Sequence, residues 1–273
     1  SLTGPVLGGI LYSAWGLAPV LWMCVACFVM SAAMELFIRI PFQRQRTKGG
    51  ILRTAAADFA ESIRFIRREK PALGKGMMIL CAINLFLSSM IVVALPYLTT
   101  QVLELDPALA NRLCGFAQGA LAAGGLAGGI CAGLLDGRLS VSKAPVLLSA
   151  CAACVFPLGI GLALFSTGMV NYVVLTLCSF FVMFFATIFS VQMLSFIQAW
   201  TPRNLVGKVI SLVLTISMCA QPAGNAFYGA LFDMCKGSEY VAVLFAGGVS
   251  MLIALCSRKI FRDISDGESE ERK

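Results

Sequence analysis

The chain has 273 residues, of which 59% are hydrophobic and 13% charged, with a formal net charge of +7. Soluble globular domains contain about 25% charged residues, so this composition excludes an ordinary soluble domain. Together with a mean hydropathy of +0.86, it predicts an all-α polytopic membrane protein.

The first predicted element is a charge-free apolar stretch from Ser1 to about Trp15. It is short for a crossing, which takes about 20 apolar residues as a helix. It lacks the basic start and the cleavage site of a secretory signal. We therefore interpret it as the end of a transmembrane helix, and expect the chain to be a fragment whose N-terminal portion is absent. Residues 17–38 form the first full span.

Further charge-free runs predict the remaining spans. They cover residues 76–103, 113–135, 144–202, 209–232 and 240–257. The third of these runs is too long for one crossing and must fold back. The small polar segment Ser166-Thr167-Gly168-Met169 is the place where a turn fits. The sequence thus predicts seven full transmembrane helices plus the end of an eighth.

Lysine and arginine are concentrated on alternate loops. The connection after the first full span holds nine of them: Arg44, Arg46, Lys48, Arg53, Arg64, Arg67, Arg68, Lys70 and Lys75. Loops on the opposite side hold only Arg112 and Lys236. Because basic loops stay in the cytoplasm, we expect a multi-pass plasma-membrane protein with a cytoplasmic C-terminus. The positive charge then reflects topology, and no nucleic-acid partner is predicted.

The basic connection contains an amphipathic pattern. Apolar residues recur at helical spacing: Ile51, Leu52, Ala55, Phe59, Ile63 and Ile66. Charged residues occupy the rest of the helix surface. This pattern predicts a surface helix on the inner leaflet, in contact with membrane lipid. A binding site for a regulatory partner is the less favoured alternative.

Glycine spacing predicts close helix packing in the span over residues 113–135. Glycines recur every fourth residue in three overlapping series: Gly125, Gly129 and Gly133; Gly124 and Gly128; Gly115 and Gly119. Such spacing lets a second helix approach closely. Plain bundle packing and a sliding contact between two rigid helix groups are both consistent with it.

No pattern of residues indicates an enzyme, a metal or a cofactor. The pairs Cys24/Cys27 and Cys151/Cys154 have C-x-x-C spacing, but they lie in apolar spans of a chain without histidine. We interpret them as small packing residues rather than zinc or redox ligands. The spans also lack paired aspartates for prenyl transfer, an H-E-x-x-H site and a serine with histidine.

The segment GPVLGG, with Gly4, Pro5, Gly8 and Gly9, resembles the end of the antiporter motif of major facilitator superfamily drug exporters. Proline removes a backbone hydrogen bond and glycine removes side chains, so such a helix can bend against its neighbour. The resemblance implies a hinge and seal between two helix bundles. Kinking of a packed helix without a functional role is the alternative.

Two further segments carry the same resemblance. GLLDGRLSVSK at residues 133–143 resembles the second-half copy of the family's cytoplasmic gating motif, with Asp136 and Arg138 at the matching positions. Residues 201–229 resemble the macrolide-efflux and siderophore-export branch. Asp136 and Arg138 are therefore expected gate residues, with topology charges as the alternative.

The resemblance implies the C-terminal part of a 12-helix major facilitator fold. Residues 1–40 would end the N-terminal bundle as family helices five and six, and residues 41–76 would form the cytoplasmic connector. Residues 77–257 would form the C-terminal six-helix bundle, and residues 258–273 a charged cytoplasmic tail. The implied function is secondary active, proton-coupled efflux of amphipathic drugs by alternating access, in partnership with the N-terminal half. A seven-span receptor-like or non-transporting helical membrane protein is the alternative.

Neutral polar side chains within the spans are the candidates for a substrate cavity, because they orient an amphipathic molecule without a charge. They are Asn84, Ser88, Gln118, Gln192, Ser195, Gln221, Asn225 and Tyr228. Each could instead form a hydrogen bond between helices. No carboxylate lies deep in a span after Glu35, so we expect the proton carrier in the N-terminal half.

Overall fold

The computed structural model describes residues 17–35, 37, 51–68, 70–103, 106–135, 143–165, 167–202 and 205–271. Throughout these ranges the regular elements are helices, which confirms the predicted all-α class. The opening segment with Gly4, Pro5, Gly8 and Gly9 lies outside the described residues, as do Asp136 and Arg138.

Ten α-helices follow one another along the described chain. They are α1 (Leu17–Glu35), α2 (Ile51–Arg68), α3 (Pro71–Ile83), α4 (Ser89–Tyr97), α5 (Pro107–Leu134), α6 (Ala144–Ala153), α7 (Phe156–Leu164), α8 (Gly168–Trp200), α9 (Val206–Met234) and α10 (Glu239–Glu271). The π-helical turn Asn84–Ser88 joins α3 to α4, and a second one, Leu98–Val102, extends α4. Residues Pro71–Val102 thus form one continuous rod, called the α3–α4 rod below.

Seven of the described segments are long and apolar enough to cross a bilayer. They are α1, the α3–α4 rod, α5, the kinked pair α6–α7, α8, α9 and the first part of α10. This confirms the predicted number of full spans. The fold-back also lies where it was predicted, because α7 ends at Leu164 and α8 begins at Gly168.

Local sequence explains where several helices begin and end. Asp106 caps α5, because its Oδ2 accepts hydrogen bonds from the N–H groups of Ala108 and Leu109 at 3.1 and 3.3 Å. Pro107 follows at the first helical position, where its missing donor is not needed. Pro157 cannot donate to the carbonyl of Ala153, and α6 ends at Ala153.

A close helix contact brings α5 against α8. A Cβ atom at Gly124 would overlap the carbonyl oxygen of Phe180, and one at Gly128 would overlap that of Phe184. The neighbouring glycine series is looser, since a Cβ at Gly125 would meet side chains at 3.4 Å or more. The predicted close approach is thus confirmed, and the Gly124/Gly128 series forms it.

The amphipathic segment is a helix, α2, as predicted. Phe65 and Ile66 are each 4% exposed and belong to the main hydrophobic core. Lys208 Nζ at the start of α9 forms an ion pair with Glu61 Oε2 at 2.7 Å. These contacts hold α2 against the main core and the start of α9. By contrast, the side chains of α1 are almost all exposed.

The helix bounds extend beyond the charge-free runs at both ends of the six-helix region. The α3–α4 rod begins at Pro71, within the expected connector 41–76. Its first turns therefore include the charged residue Lys75. Helix α10 continues to Glu271, within the expected tail 258–273. Charged residues near the ends of a helix are tolerated because long side chains reach the membrane interface.

Candidate functional site

A cavity of about 660 Å³ opens where the α3–α4 rod, α5 and α8 meet. Its wall is largely apolar, and includes Ile91 and Leu95 on α4, Leu121 on α5 and Met183 on α8. The volume lies in the range of pockets that bind small molecules, which are about 300–1,000 Å³. The three helices therefore provide an apolar recess for a small molecule.

Irregular backbone shapes the α4 side of this cavity. Pro96 and Val92 both line it, and Pro96 has no N–H to donate to the carbonyl of Val92 four residues earlier. The π-helical turn Leu98–Val102 follows directly. Such interruptions in a spanning helix are tolerated where the backbone faces protein or a cavity.

Gln118 and Thr187 supply polar side chains to the lining, from α5 and α8. Gln118 is exposed, and its Nε2 donates to Cys114 Sγ at 3.5 Å, which is a weak acceptor. Thr187 Oγ1 donates to the carbonyl of Met183 at 2.8 Å, so its hydroxyl can still accept from a ligand. Both groups are neutral, so they can orient a polar end of a molecule without requiring a charge.

Asn84 and Ser88, predicted as cavity residues, lie on the same rod but outside the cavity lining. Asn84 is the first residue of the π-helical turn, and its Nδ2 donates to the carbonyl of Leu80 at 3.0 Å. Both side chains are half-buried. Both residues belong to the π-helical turn that packs against α9 through Leu85 and the following Ser89.

The three predicted residues on α9, Gln221, Asn225 and Tyr228, also lie outside the lining. The carbonyl of Gln221 accepts from Ser89 Oγ at 3.0 Å. Asn225 is half-buried, and Tyr228 is 0% exposed. Its ring packs beside Phe232, with ring centroids 6.5 Å apart. Gln221 thus contributes its main-chain carbonyl to the contact with the α3–α4 rod, and Tyr228 is buried within the bundle.

Gln192 and Ser195 on α8 occupy different environments. Gln192 is 5% exposed and faces the interior of the bundle. Ser195 is exposed, three residues along the helix. Neither lines the cavity. Of the eight predicted cavity residues, the structure thus brings Gln118 alone to the 660 Å³ recess.

Thr187 is the polar cavity residue that sequence reasoning missed. A threonine in an apolar span commonly satisfies its own hydroxyl at the carbonyl four residues earlier, as Thr187 does. The signal that could have identified it is the glycine series on α5. Because Gly124 and Gly128 pack against the carbonyls of Phe180 and Phe184, Thr187 lies beside Gly125. Its Oγ1 is 3.5 Å from the position that a Cβ atom at residue 125 would occupy.

Comparison with known proteins gave one family match. The model of the Major Facilitator Superfamily matches residues 1–224, which is well over half of the chain. The matched range includes the α3–α4 rod, α5 and α8, whose side chains line the cavity. Neither the comparison with curated proteins nor the comparison with solved structures gave a match.

Proposed function

We propose that this chain, which belongs to the Major Facilitator Superfamily, forms one wall of the substrate cavity of an exporter for amphipathic small molecules. Membership in this family makes the chain a membrane transporter, and decides against the seven-span receptor. Efflux, proton coupling and the amphipathic substrate are our proposal.

The proposal rests on which side chains line the cavity. Apolar side chains dominate a recess of about 660 Å³, and Gln118 and Thr187 add neutral hydrogen-bonding groups. A molecule with an apolar body and a few polar groups matches such a wall. A small, highly charged metabolite would lose its hydration there without gaining an ion pair.

The second wall would come from the N-terminal half of the same transporter. The described helices enclose the cavity only in part, so a facing bundle would complete the enclosure of a substrate. In this arrangement the proline-glycine segment at residues 4–9 would act as hinge and seal, and Asp136 with Arg138 as the cytoplasmic gate. Alternating access would follow from rocking of the two bundles.

Proton coupling requires a group that binds and releases a proton within the membrane. In the described spans the carboxylates lie at or next to helix ends, and they are Glu35, Asp233 and Glu239. We therefore place the proton carrier in the facing half. The proposed assignment to the macrolide-efflux and siderophore-export branch, in the plasma membrane, follows the resemblance of residues 201–229.

The test is efflux of a fluorescent amphipathic dye from cells that express the full-length gene product. We expect dye exclusion that is lost when a protonophore collapses the proton gradient. Replacing Gln118 with Leu should raise the dye concentration for half-maximal transport about fivefold, since one hydrogen bond is worth about 1 kcal/mol.

Gln198→Leu is the matched control, because Gln198 is exposed on α8 outside the cavity lining. It should leave transport unchanged at equal surface expression. Equal effects of the two substitutions would refute the assignment of the cavity. Dye exclusion that persists without a proton gradient would refute proton coupling.

A further inference from the structure

A second recess, separate from the substrate cavity, lies on the exposed side of α2. Its volume is about 630 Å³, and its lining comprises Phe59, Ala60, Ile63, Arg64, Arg67 and Arg68. These residues form two adjacent rows at four-residue spacing on one helix face. We call this recess the α2 groove.

The opposite face of α2 is fixed to the bundle. Ser62, Phe65 and Ile66 are buried. Ile66 packs closely on α3, because its Cγ2 lies 3.0 Å from the position that a Cβ atom at Gly74 would occupy. The ion pair between Glu61 and Lys208 adds a link to α9. Because α2 is anchored in this way, the α2 groove keeps its orientation relative to the spanning helices.

We expect the α2 groove at the depth of the lipid headgroups, because it lies beside the ends of spanning helices. Arg68 precedes Pro71, the first residue of the α3–α4 rod, by three residues. Nearby, Lys70 Nζ lies 4.5 Å from the ring centroid of Trp200, the last residue of α8. Lysine and tryptophan at the ends of spanning helices are typical of the membrane interface.

The chemistry of the α2 groove combines cations with an apolar surface. Arg64, Arg67 and Arg68 are exposed, and within the described ranges no carboxylate forms an ion pair with them. Phe59 is 48% exposed beside them. Guanidinium groups bind phosphate through paired hydrogen bonds. An exposed phenylalanine at this depth suits the first part of an acyl chain.

We propose that the α2 groove binds an anionic phospholipid, with its phosphate held by Arg64, Arg67 and Arg68 and an acyl chain against Phe59 and Ile63. The bound lipid ties the anchored connector to the inner leaflet. This proposal does not depend on which molecule the cavity transports.

The test is native mass spectrometry of the full chain, purified in neutral detergent and titrated with phosphatidylglycerol or phosphatidylcholine. We expect selective retention of phosphatidylglycerol. The variant R64Q/R67Q/R68Q should weaken that retention at least tenfold, because each basic residue at the membrane surface contributes about fivefold. The matched control R258Q/K259Q/R262Q changes three exposed cations on α10 and should retain phosphatidylglycerol. Equal losses in both variants, or no preference in the parent chain, would overturn the proposal.

Two further arms identify the source of the phosphate and guard against misfolding. Glycerol 3-phosphate and inorganic phosphate should not displace the lipid, whereas competition at equal concentration would assign the site to a soluble phosphate.

Phe59→Ala should lower phosphatidylglycerol retention several-fold without changing the thermal midpoint. If the triple variant does not purify, R64Q and R67Q alone should each reduce retention about fivefold, and unchanged retention in both would overturn the proposal.

Discussion

Two of the helix contacts that glycine forms in the described bundle are built differently. Where α5 crosses α8, Gly124 and Gly128 bring the helices together at the carbonyls of Phe180 and Phe184. Both helices are regular α-helix at that point. Where α9 crosses the α3–α4 rod, a single glycine, Gly224, meets the carbonyl of Leu85 within a π-helical turn.

The contact at Gly224 contains several backbone irregularities. Pro222 lies inside α9, two residues before Gly224, and removes one donor from that helix. On the rod, Ser89 N–H donates to the carbonyl of Asn84, five residues earlier, in the π pattern. Prolines and π-helical turns are the usual sites at which helices bend. We therefore expect the α5–α8 contact to stay rigid during transport and the α9 contact to adjust.

The largest effect that tests this comparison is expected from Gly124→Ala. The new methyl group would overlap the Phe180 carbonyl, and neither regular helix can move away without breaking its packing. Overpacking of this kind is destabilising by about 3 kcal/mol or more. The expected result is a large fall in thermal midpoint and in folded yield, measured by fluorescence size-exclusion chromatography. Gly133→Ala is the control, since a Cβ there has nothing within 4 Å. A stable Gly124→Ala protein would contradict the rigid contact.

A smaller loss of stability is expected from Gly224→Ala. The added methyl group would meet the Leu85 carbonyl and the Ser89 side chain, but the π-helical turn can change its hydrogen-bond register to make room. We expect a destabilisation of about 1–2 kcal/mol, together with a larger fractional loss of transport than of folded protein. Gly229→Ala on the same helix is the control, because a Cβ there meets no atom within 4 Å. If Gly224→Ala unfolds the protein as fully as Gly124→Ala, the two contacts do not differ in rigidity.

The spans and the fold-back were predictable because membrane crossing imposes length and polarity on each helix. The α3–α4 rod begins earlier than its charge-free run because Lys75, near the helix end, can reach the interface. The glycine series predicted a close contact, but not its register. Gly124 and Gly125 belong to adjacent rows of the same helix, and only the position of α8 distinguishes them.

The cavity was less predictable, because a polar side chain in an apolar helix can face any neighbour. Gln118 and Gln192 look equivalent in the sequence, yet Gln118 is exposed at the cavity and Gln192 is 5% exposed within the bundle. The choice depends on how the helices rotate about their axes. That rotation is set by long-range packing, such as Gly224 against Leu85, for which the sequence carries no local signal.

The smallest loss of stability is expected from removing the hydroxyl of Ser89. This hydroxyl links the α3–α4 rod to α9 at the contact around Gly224, which we call the adjustable contact. Ser89 Oγ lies 2.8 Å from the carbonyl oxygen of Asn84 and 3.0 Å from that of Gln221, so one donor is shared between two acceptors. Hydrogen bonds between transmembrane helices contribute about 0.6 kcal/mol on average, and Ser89→Ala should lower the stability by about 1 kcal/mol at most. For a protein of this size that is a fall in thermal midpoint of roughly 2–4 °C.

The neighbouring Ser88→Ala is the control for this prediction, since Ser88 is half-buried on the same turn and should give no measurable shift. In combination with Gly224→Ala, the loss from Ser89→Ala should shrink, because the added methyl group already displaces the hydroxyl from Gln221. Strictly additive losses in the double variant would mean that the hydroxyl does not act at the α9 contact. In that case the adjustable contact would depend on Pro222 and the π-helical turn alone.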